Sequence, residues 1–453
     1  MLTLSKTNLR IVGIASLLLG ATHGFSVVSA SWVAMGLILS LWSLRDQRPL
    51  SVGSEHRWAA VASAALMVGV FGRPIASLPG SMVHAKPIIL VGGVVMCFVA
   101  FLAGDRPSGR RIVSVLAILL TVTAILVLVA QEWSSPLGSD VYHAHRLAGD
   151  ALRSGQNPYT DAVTFPNGNP FAPADSVVEG YPYPPVALSA YGLAGAFTDP
   201  RLISAVCWLA FLGWLAFGAW RTASDEDSRV KLSVLLLMAL APLGSEVWYM
   251  AWTEPWTLFL FLMAALAWTR THIWSGVLLG FALASKQYLI FLLPLVLLSR
   301  DQGWRKRSTA AVVTAGVTLV AGLAPNPSAF IRATFGNLTG IGFRPDTQSL
   351  PGLANELGFS FLLPNWLWIL ASLVGVALLS RCSRTRSGFM MCAGLGLGIA
   401  FFVGLAFPNY WFLVAGLIAI GTALGPADEA DLDPDQATLE GQVPRQETSI
   451  AGM

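Results

Sequence analysis

The chain has 453 residues, 55% of them hydrophobic and only 12% charged, against about 25% charged residues in an ordinary soluble domain. That balance excludes a water-soluble globular protein and makes a lipid bilayer the solvent for most of the chain. A net charge of +3, with its basic residues scattered along the chain, gives no reason to expect nucleic acid as a partner.

A helix needs about 20 mostly apolar residues to cross a bilayer, because backbone groups inside lipid must satisfy one another. On that criterion spans are expected near 11–27, 30–44, 58–79, 87–104, 112–131, 202–220, 232–250, 255–269, 273–285, 287–299, 308–324, 360–380, 388–407 and 411–425. The fold class is therefore all-α and polytopic, a bundle of about 11–14 transmembrane helices. The first run follows Lys6 and Arg10 and ends near a loose "VVSA" cleavage site, as a signal peptide would. A second apolar run follows almost at once, which favours an uncleaved first span. Cys97, Cys207, Cys382 and Cys392 show no CxxC spacing and read as packing residues.

Lys and Arg are retained on the cytoplasmic side. The basic connectors are "RDQRPLSVGSEHR" from Arg45, "DRPSGRR" from Asp105, "RDQGWRKR" from Arg300 and "RCSRTRS" from Arg381. If these face the cytoplasm, segments 132–183 and 325–358 lie outside a plasma membrane. One count stays open. Between Tyr183 and Glu254 an even number of spans is required, yet 184–197, 202–220 and 232–250 make three; either the first is re-entrant or the last is broken at Pro242 and Gly244. The stretch 426–453, with "DEADLDPDQ", is acidic and expected to be a disordered cytoplasmic tail.

The outward segment opens with "GSDVYHAHRLAGDALRSGQNPY", Gly138 to Tyr159, a sudden polar cluster after a long uncharged run. Ser139-Asp140 reads as the start of an amphipathic helix ended by Gly155. Asp140 is also placed to act as a general base near the headgroups, and the two roles are compatible. His143 and His145 stand two apart and do not share a helix face, so a metal site is not expected. His145 and Arg146 either line a polar pocket or form the wet face of the helix. The segment from "NPY" to "GYPYPPVAL" is rich in Pro and Tyr, stiff without being helical. Farther on, Glu254 heads a span between Trp252 and Pro255, where a carboxylate is costly and usually functional, or else snorkels. Lys286 and Gln287 interrupt two apolar runs; the lysine either anchors in headgroup phosphates or neutralises a bound phosphate.

Taken in order, "D-x-Y", "L-x-x-G-x-NPY", "YPYPP", "TEP", "G-x-L-x-G-x-x-x-x-x-K-Q" and "TQSLPGLANELG" resemble the integral-membrane GT-C glycosyltransferases, most of all glycosyltransferase family 87 with its polyprenyl-phosphate-mannose-dependent α-mannosyltransferases. The resemblance implies a GT-C-type bundle over 106–425 with extracytoplasmic juxtamembrane loop helices, preceded by extra transmembrane helices over 1–105. It implies Asp140 as general base, and Tyr142, His145, Arg146, Asn157, Tyr159, Tyr183, Glu254, Lys286, Gln287, Arg344, Gln348 and Ser349 around donor and acceptor. Lys286 would lie near the donor phosphate. Thr347 departs from the family's usual Asn in the "NQSL" motif. The implied reaction moves a sugar, mannose by the resemblance, from a polyprenyl phosphate to a hydroxyl of a glycolipid, lipoglycan or glycan with inversion. It needs no cofactor or metal, because the lipid phosphate is already a good leaving group. The rival reading is a transporter or flippase, but carriers hold their ionisable groups near the bilayer midplane, and here the distinctive charges gather toward one surface.

Overall fold

The computed structural model describes residues 6–22, 27–45, 56–57, 59–64, 82–132, 139–160, 163–166, 177–221, 225–241, 247–300, 303–336, 347–358, 365–404 and 406–431. Among the described residues apolar runs become helices, since a helix satisfies its own backbone groups; of the expected span 58–79, residues 58 and 65–79 lie outside the described residues. In chain order they are α1 (Lys6–Thr22), α2 (Val27–Arg45), α3 (Met82–Ala103), α4 (Pro107–Glu132), the polar α5 (Asp140–Arg153) and α6 (Pro185–Phe197), whose middle widens into a π turn. Then come α7 (Arg201–Arg221), α8 (Asp225–Leu240), α9 (Glu254–Leu266), α10 (His272–Leu283), α11 (Gln287–Leu298, opening as 3-10), α12 (Trp304–Leu323) and α13 (Pro327–Gly336). The chain closes with α14 (Leu350–Glu356), α15 (Asn365–Leu379), α16 (Arg386–Val403) and α17 (Pro408–Asp431). Among the described residues the one sheet is a short antiparallel hairpin, β1 (Thr164–Pro166) on β2 (Val177–Glu179).

Among the described residues four helices are long and apolar enough to cross a membrane, with a fifth span if α12 and α13, bent by 116°, count as one. The bend has a local cause: Pro325 and Pro327 flank Asn326, whose side chain caps the Ala329 amide at 3.1 Å. Shorter apolar helices fill the rest of the bundle. Bulky apolar side chains such as Trp42, Phe98, Val206, Val317 and Trp366 remain exposed around it, as expected of surface that meets lipid.

Of the two alternatives for the stretch between Tyr183 and Glu254, the break at Pro242 and Gly244 falls outside the described residues. α6 runs for only 13 residues, or ~20 Å at 1.5 Å per residue, less than a hydrocarbon core of about 30 Å. α8 stops at Leu240, and a separate helical turn forms at 247–249. At the other end, α17 carries on to Asp431, six residues past the expected start of the tail, because Ala, Asp and Glu there follow an established helix and Ala and Glu prolong it readily. Residues 432–453 lie outside the described residues.

The N-terminal helices share the bundle's main core. Ile11, Ile14 and Leu17 of α1 belong to one apolar cluster with α8, α9, α16 and α17. α2 lies so close to α16 that a Cβ on Gly398 would come within 2.4 Å of Leu37. At the α3–α4 turn, Arg57 pairs with Asp105 at 2.9 Å, Arg229 approaches the same carboxylate at 3.6 Å, and Arg110 of α4 holds Asp225 of α8 at 2.6 Å. Cys97, Cys207 and Cys392 are buried as packing residues; Cys382, in a basic connector, is exposed.

Candidate active site

α5 forms where its signals predict. Ser139 caps the Tyr142 amide at 3.3 Å, and Gly155 ends the helix with φ +67°. The helix then lies backbone to backbone on α6: a Cβ on Gly149 would meet the Ala196 nitrogen at 2.3 Å, and one on Gly195 would meet the His145 carbonyl at 2.4 Å. That approach fixes what each α5 side chain faces. Asp140, in the first turn, is exposed, and its Oδ1 accepts the Val141 amide at 2.8 Å; a carboxylate there also suits the positive end of the helix dipole. Tyr142 lies half-buried beneath the Arg201 guanidinium, 5.3 Å from its centroid, which Asp199 holds in a bidentate pair at 2.6 and 3.0 Å. Burial, then the Asp199 carboxylate, pushes the Tyr142 phenol up.

His145 is fully buried, neither on a wet face nor in an open pocket. Its ring stacks on Tyr191 at 4.5 Å and lies 5.5 Å from Tyr183. Nε2 is 3.1 Å from the Ala251 carbonyl and Nδ1 2.9 Å from the Tyr181 hydroxyl. A carbonyl only accepts, so Nε2 carries the proton and Nδ1 accepts from Tyr181. Burial drives the imidazole pKa down to about 3, so the ring is neutral at any ordinary pH.

The other loop residues hold backbone. Arg146 donates to the Thr198 and Gly195 carbonyls at 2.8 and 3.3 Å, closing the end of α6. Asn157 accepts the Tyr159 amide at 3.0 Å, an Asx turn. Tyr159 donates to the Tyr183 carbonyl at 3.1 Å and packs edge-on against Phe330. The "NPY" and "YPP" elements are thereby tied together. Beside them a groove of about 340 Å³ runs between Asn157, Tyr159, Pro185, Leu188 and Gly322.

The centre lies where α9, α11 and α17 meet. Glu254 is fully buried at the head of α9, and its Oε1 accepts from Lys286 Nζ, from the Tyr288 hydroxyl at 3.1 Å and from Asn409 Nδ2 at 2.8 Å. Its Oε2 is buried without a hydrogen-bond partner among the described residues. The Lys286 ammonium sits over three phenol rings, Tyr288 at 5.1 Å, Tyr410 at 5.4 Å and Tyr183 at 5.5 Å, a cage of ring faces that partly replaces its lost water. Tyr183 links this centre to α5. Burial raises its phenol well above the usual value, and the Asp140 and Glu254 carboxylates both push in the same direction. Of these charged groups, the Lys286 ammonium lies over the Tyr183 ring, and both carboxylates act on its phenol electrostatically.

A family model matches residues 181–408, glycosyltransferase family 87. The chain belongs to that family. No curated protein and no solved structure matches it. Membership makes the chain a glycosyltransferase rather than a carrier, and the helical bundle fits the GT-C architecture of the family's membrane enzymes. The matched stretch takes in Tyr183, Glu254, Lys286 and Gln348; α5 with Asp140 precedes it.

Relative to family 87's loop motif, Thr347 hydrogen-bonds Ser349 at 2.8 Å, and both are buried with Gln348. Gln348 Nε2 donates to the Gly20 carbonyl at 3.0 Å, at the end of α1, and its amide donates to Ala406 at 3.0 Å. Gln287 opens α11 half-buried. Arg344 lies outside the described residues. Sequence reasoning passed over Tyr288, Asn409 and Tyr410. Asn409 carried a readable signal, a polar amide at the head of the last apolar run; Tyr288 stands two residues after Lys286.

Proposed function

We propose that this family 87 glycosyltransferase moves a hexose, mannose by its resemblance, from a polyprenyl phosphate to a hydroxyl of a glycolipid or glycan on the extracytoplasmic side. Asp140 takes the proton of the acceptor hydroxyl as that oxygen attacks the anomeric carbon. The sugar–phosphate C–O bond breaks with its electron pair leaving on the lipid phosphate. One displacement inverts the anomeric centre; retention by double displacement would need a second carboxylate as nucleophile. Leaving as a phosphate monoester anion, the lipid needs no proton at the moment of cleavage. Its growing charge is met by the Lys286 ammonium, which has three donors and spends one on Glu254.

What supports this reading is an exposed acid at the start of α5 together with a buried Glu254–Lys286 pair whose ammonium lies over Tyr183, a ring that His145 of the same α5 approaches at 5.5 Å. An exposed carboxylate can receive a bulky acceptor from outside, while the enclosed pair supplies fixed charge. Asp140→Asn in purified membranes given radiolabelled polyprenyl-phosphate mannose should lower glycolipid formation by about 10²–10⁴-fold, the usual contribution of a general base, with protein level and thermal stability unchanged. Turnover close to wild type would remove Asp140 from this role.

A further inference from the structure

Three consecutive carbonyls just before Glu254 are each held by side chains from other helices. Met250 O accepts from Ser139 Oγ at 3.2 Å, Ala251 O from His145 Nε2 at 3.1 Å, and Trp252 O from Ser204 Oγ at 2.9 Å and the Tyr191 hydroxyl at 3.1 Å. The donors come from the start and middle of α5, from α6 and from α7. They also pack on one another: His145 stacks on Tyr191 at 4.5 Å, and the Tyr191 and Ser204 hydroxyl oxygens lie 2.8 Å apart, each with a single proton to give to Trp252 O or to the other. Inside this grip sits Ala251 with φ +55°, the one non-glycine residue at positive φ among those described. An L-residue in that conformation is strained, and such strain persists only where the surroundings over-determine it. Glycine would hold the same turn without strain but would lose more backbone freedom on folding, so the two residues differ in stiffness more than in stability.

The geometry has a direct mechanical meaning. Ser139 caps α5 and immediately precedes Asp140, and it bonds a carbonyl four residues before Glu254. We propose that Ser139, His145, Tyr191 and Ser204 are positioning residues that clamp the 250–252 turn, and that with the stiff Ala251 they fix the exposed Asp140 relative to the buried Glu254–Lys286 pair for sugar transfer. The inference rests on the transfer reading above and assigns no substrate contact to these residues. His145 serves the clamp as a neutral donor of fixed tautomer, with Tyr181 holding the proton on Nε2.

The test uses the full chain in lipid nanodiscs, with polyprenyl-phosphate mannose as donor and native glycolipid as acceptor. Variants are Ala251→Gly, Ser139→Ala and the conservative Ser139→Thr. Ala251→Gly relieves the strain yet loosens the turn, so its thermal stability should match wild type while kcat falls on the order of ten- to a hundredfold, the scale expected for a slight misplacement of reacting groups, and the donor KM stays unchanged. Ser139→Ala should quicken hydrogen exchange at the 250–254 amides and lower kcat likewise; Ser139→Thr, which keeps the hydroxyl, should restore both. An active wild type with unchanged kcat in Ala251→Gly and Ser139→Ala would overturn this inference alone, as would a loss in Ser139→Ala that Ser139→Thr does not rescue. A wild type that transfers nothing from this donor would overturn the donor assignment, and this inference with it.

Discussion

Two ion pairs in this molecule do opposite things. At the α3–α4 turn, Arg57 and Asp105 are 49% and 44% exposed; at the head of α9, Lys286 and Glu254 are 4% and 0% exposed. A solvated pair gains little because water already serves both charges, and such pairs contribute roughly 0–1 kcal/mol. A buried pair has lost that water and is held only by close geometry and further hydrogen bonds. Glu254 has them, from Tyr288 and Asn409, and Lys286 has its three rings. The exposed pair therefore adds little to the fold, while the interior pair depends on its full set of partners.

The sharpest way to break that contrast is Lys286→Met. It leaves Glu254 buried and uncompensated, and should cost about 3–5 kcal/mol, seen as a marked drop in melting temperature in detergent. Adding Glu254→Gln should recover much of the stability without recovering transfer; recovery of both would make the pair architectural. A smaller effect concerns His145, whose pKa falls from 6.5 to about 3 on folding. Between those values the unfolded chain binds a proton that the folded chain refuses. Stability is therefore whole above pH 6.5 and drains as pH falls toward 3. His145→Gln should flatten the melting temperature between about pH 7 and pH 5, and an unaltered slope would show that the ring is not the group responsible. Gln348→Ala removes donation to Gly20 and should cost about 1 kcal/mol, read as earlier melting with intact transfer chemistry. Least of all, Arg57→Ala should change stability by less than about 1 kcal/mol and leave turnover alone; a larger loss would make the exposed pair more than a solvated contact.

Asp140, Glu254 and Lys286 were legible in the sequence for one reason: in a chain with 12% charged residues, an ionisable group beside an apolar run is conspicuous. The cap at Ser139 and the stop at Gly155 were legible as local backbone chemistry. What joins these residues was not. Asn409 lies 155 positions from Glu254, and no local pattern announces that contact. His145 looked like a pocket or surface residue because its helix is amphipathic; only the Gly149–Gly195 approach, a tertiary event, buries it. Arg146 had the charge expected of a phosphate ligand, yet it donates to the carbonyls that finish α6. The strain at Ala251 leaves no trace in residue type, since alanine is the residue least suggestive of a turn.

The bond from Gln348 to the last turn of α1 gives the opening of the polypeptide a part in the enzyme's assembly. A helix at Lys6–Thr22 is fastened to a residue more than 300 positions farther along the chain. The Gly20 carbonyl also accepts from Ser29 of α2 at 2.8 Å, so one acceptor joins a near neighbour in sequence to a distant one, and the segment that carries Gln348 is pinned to both.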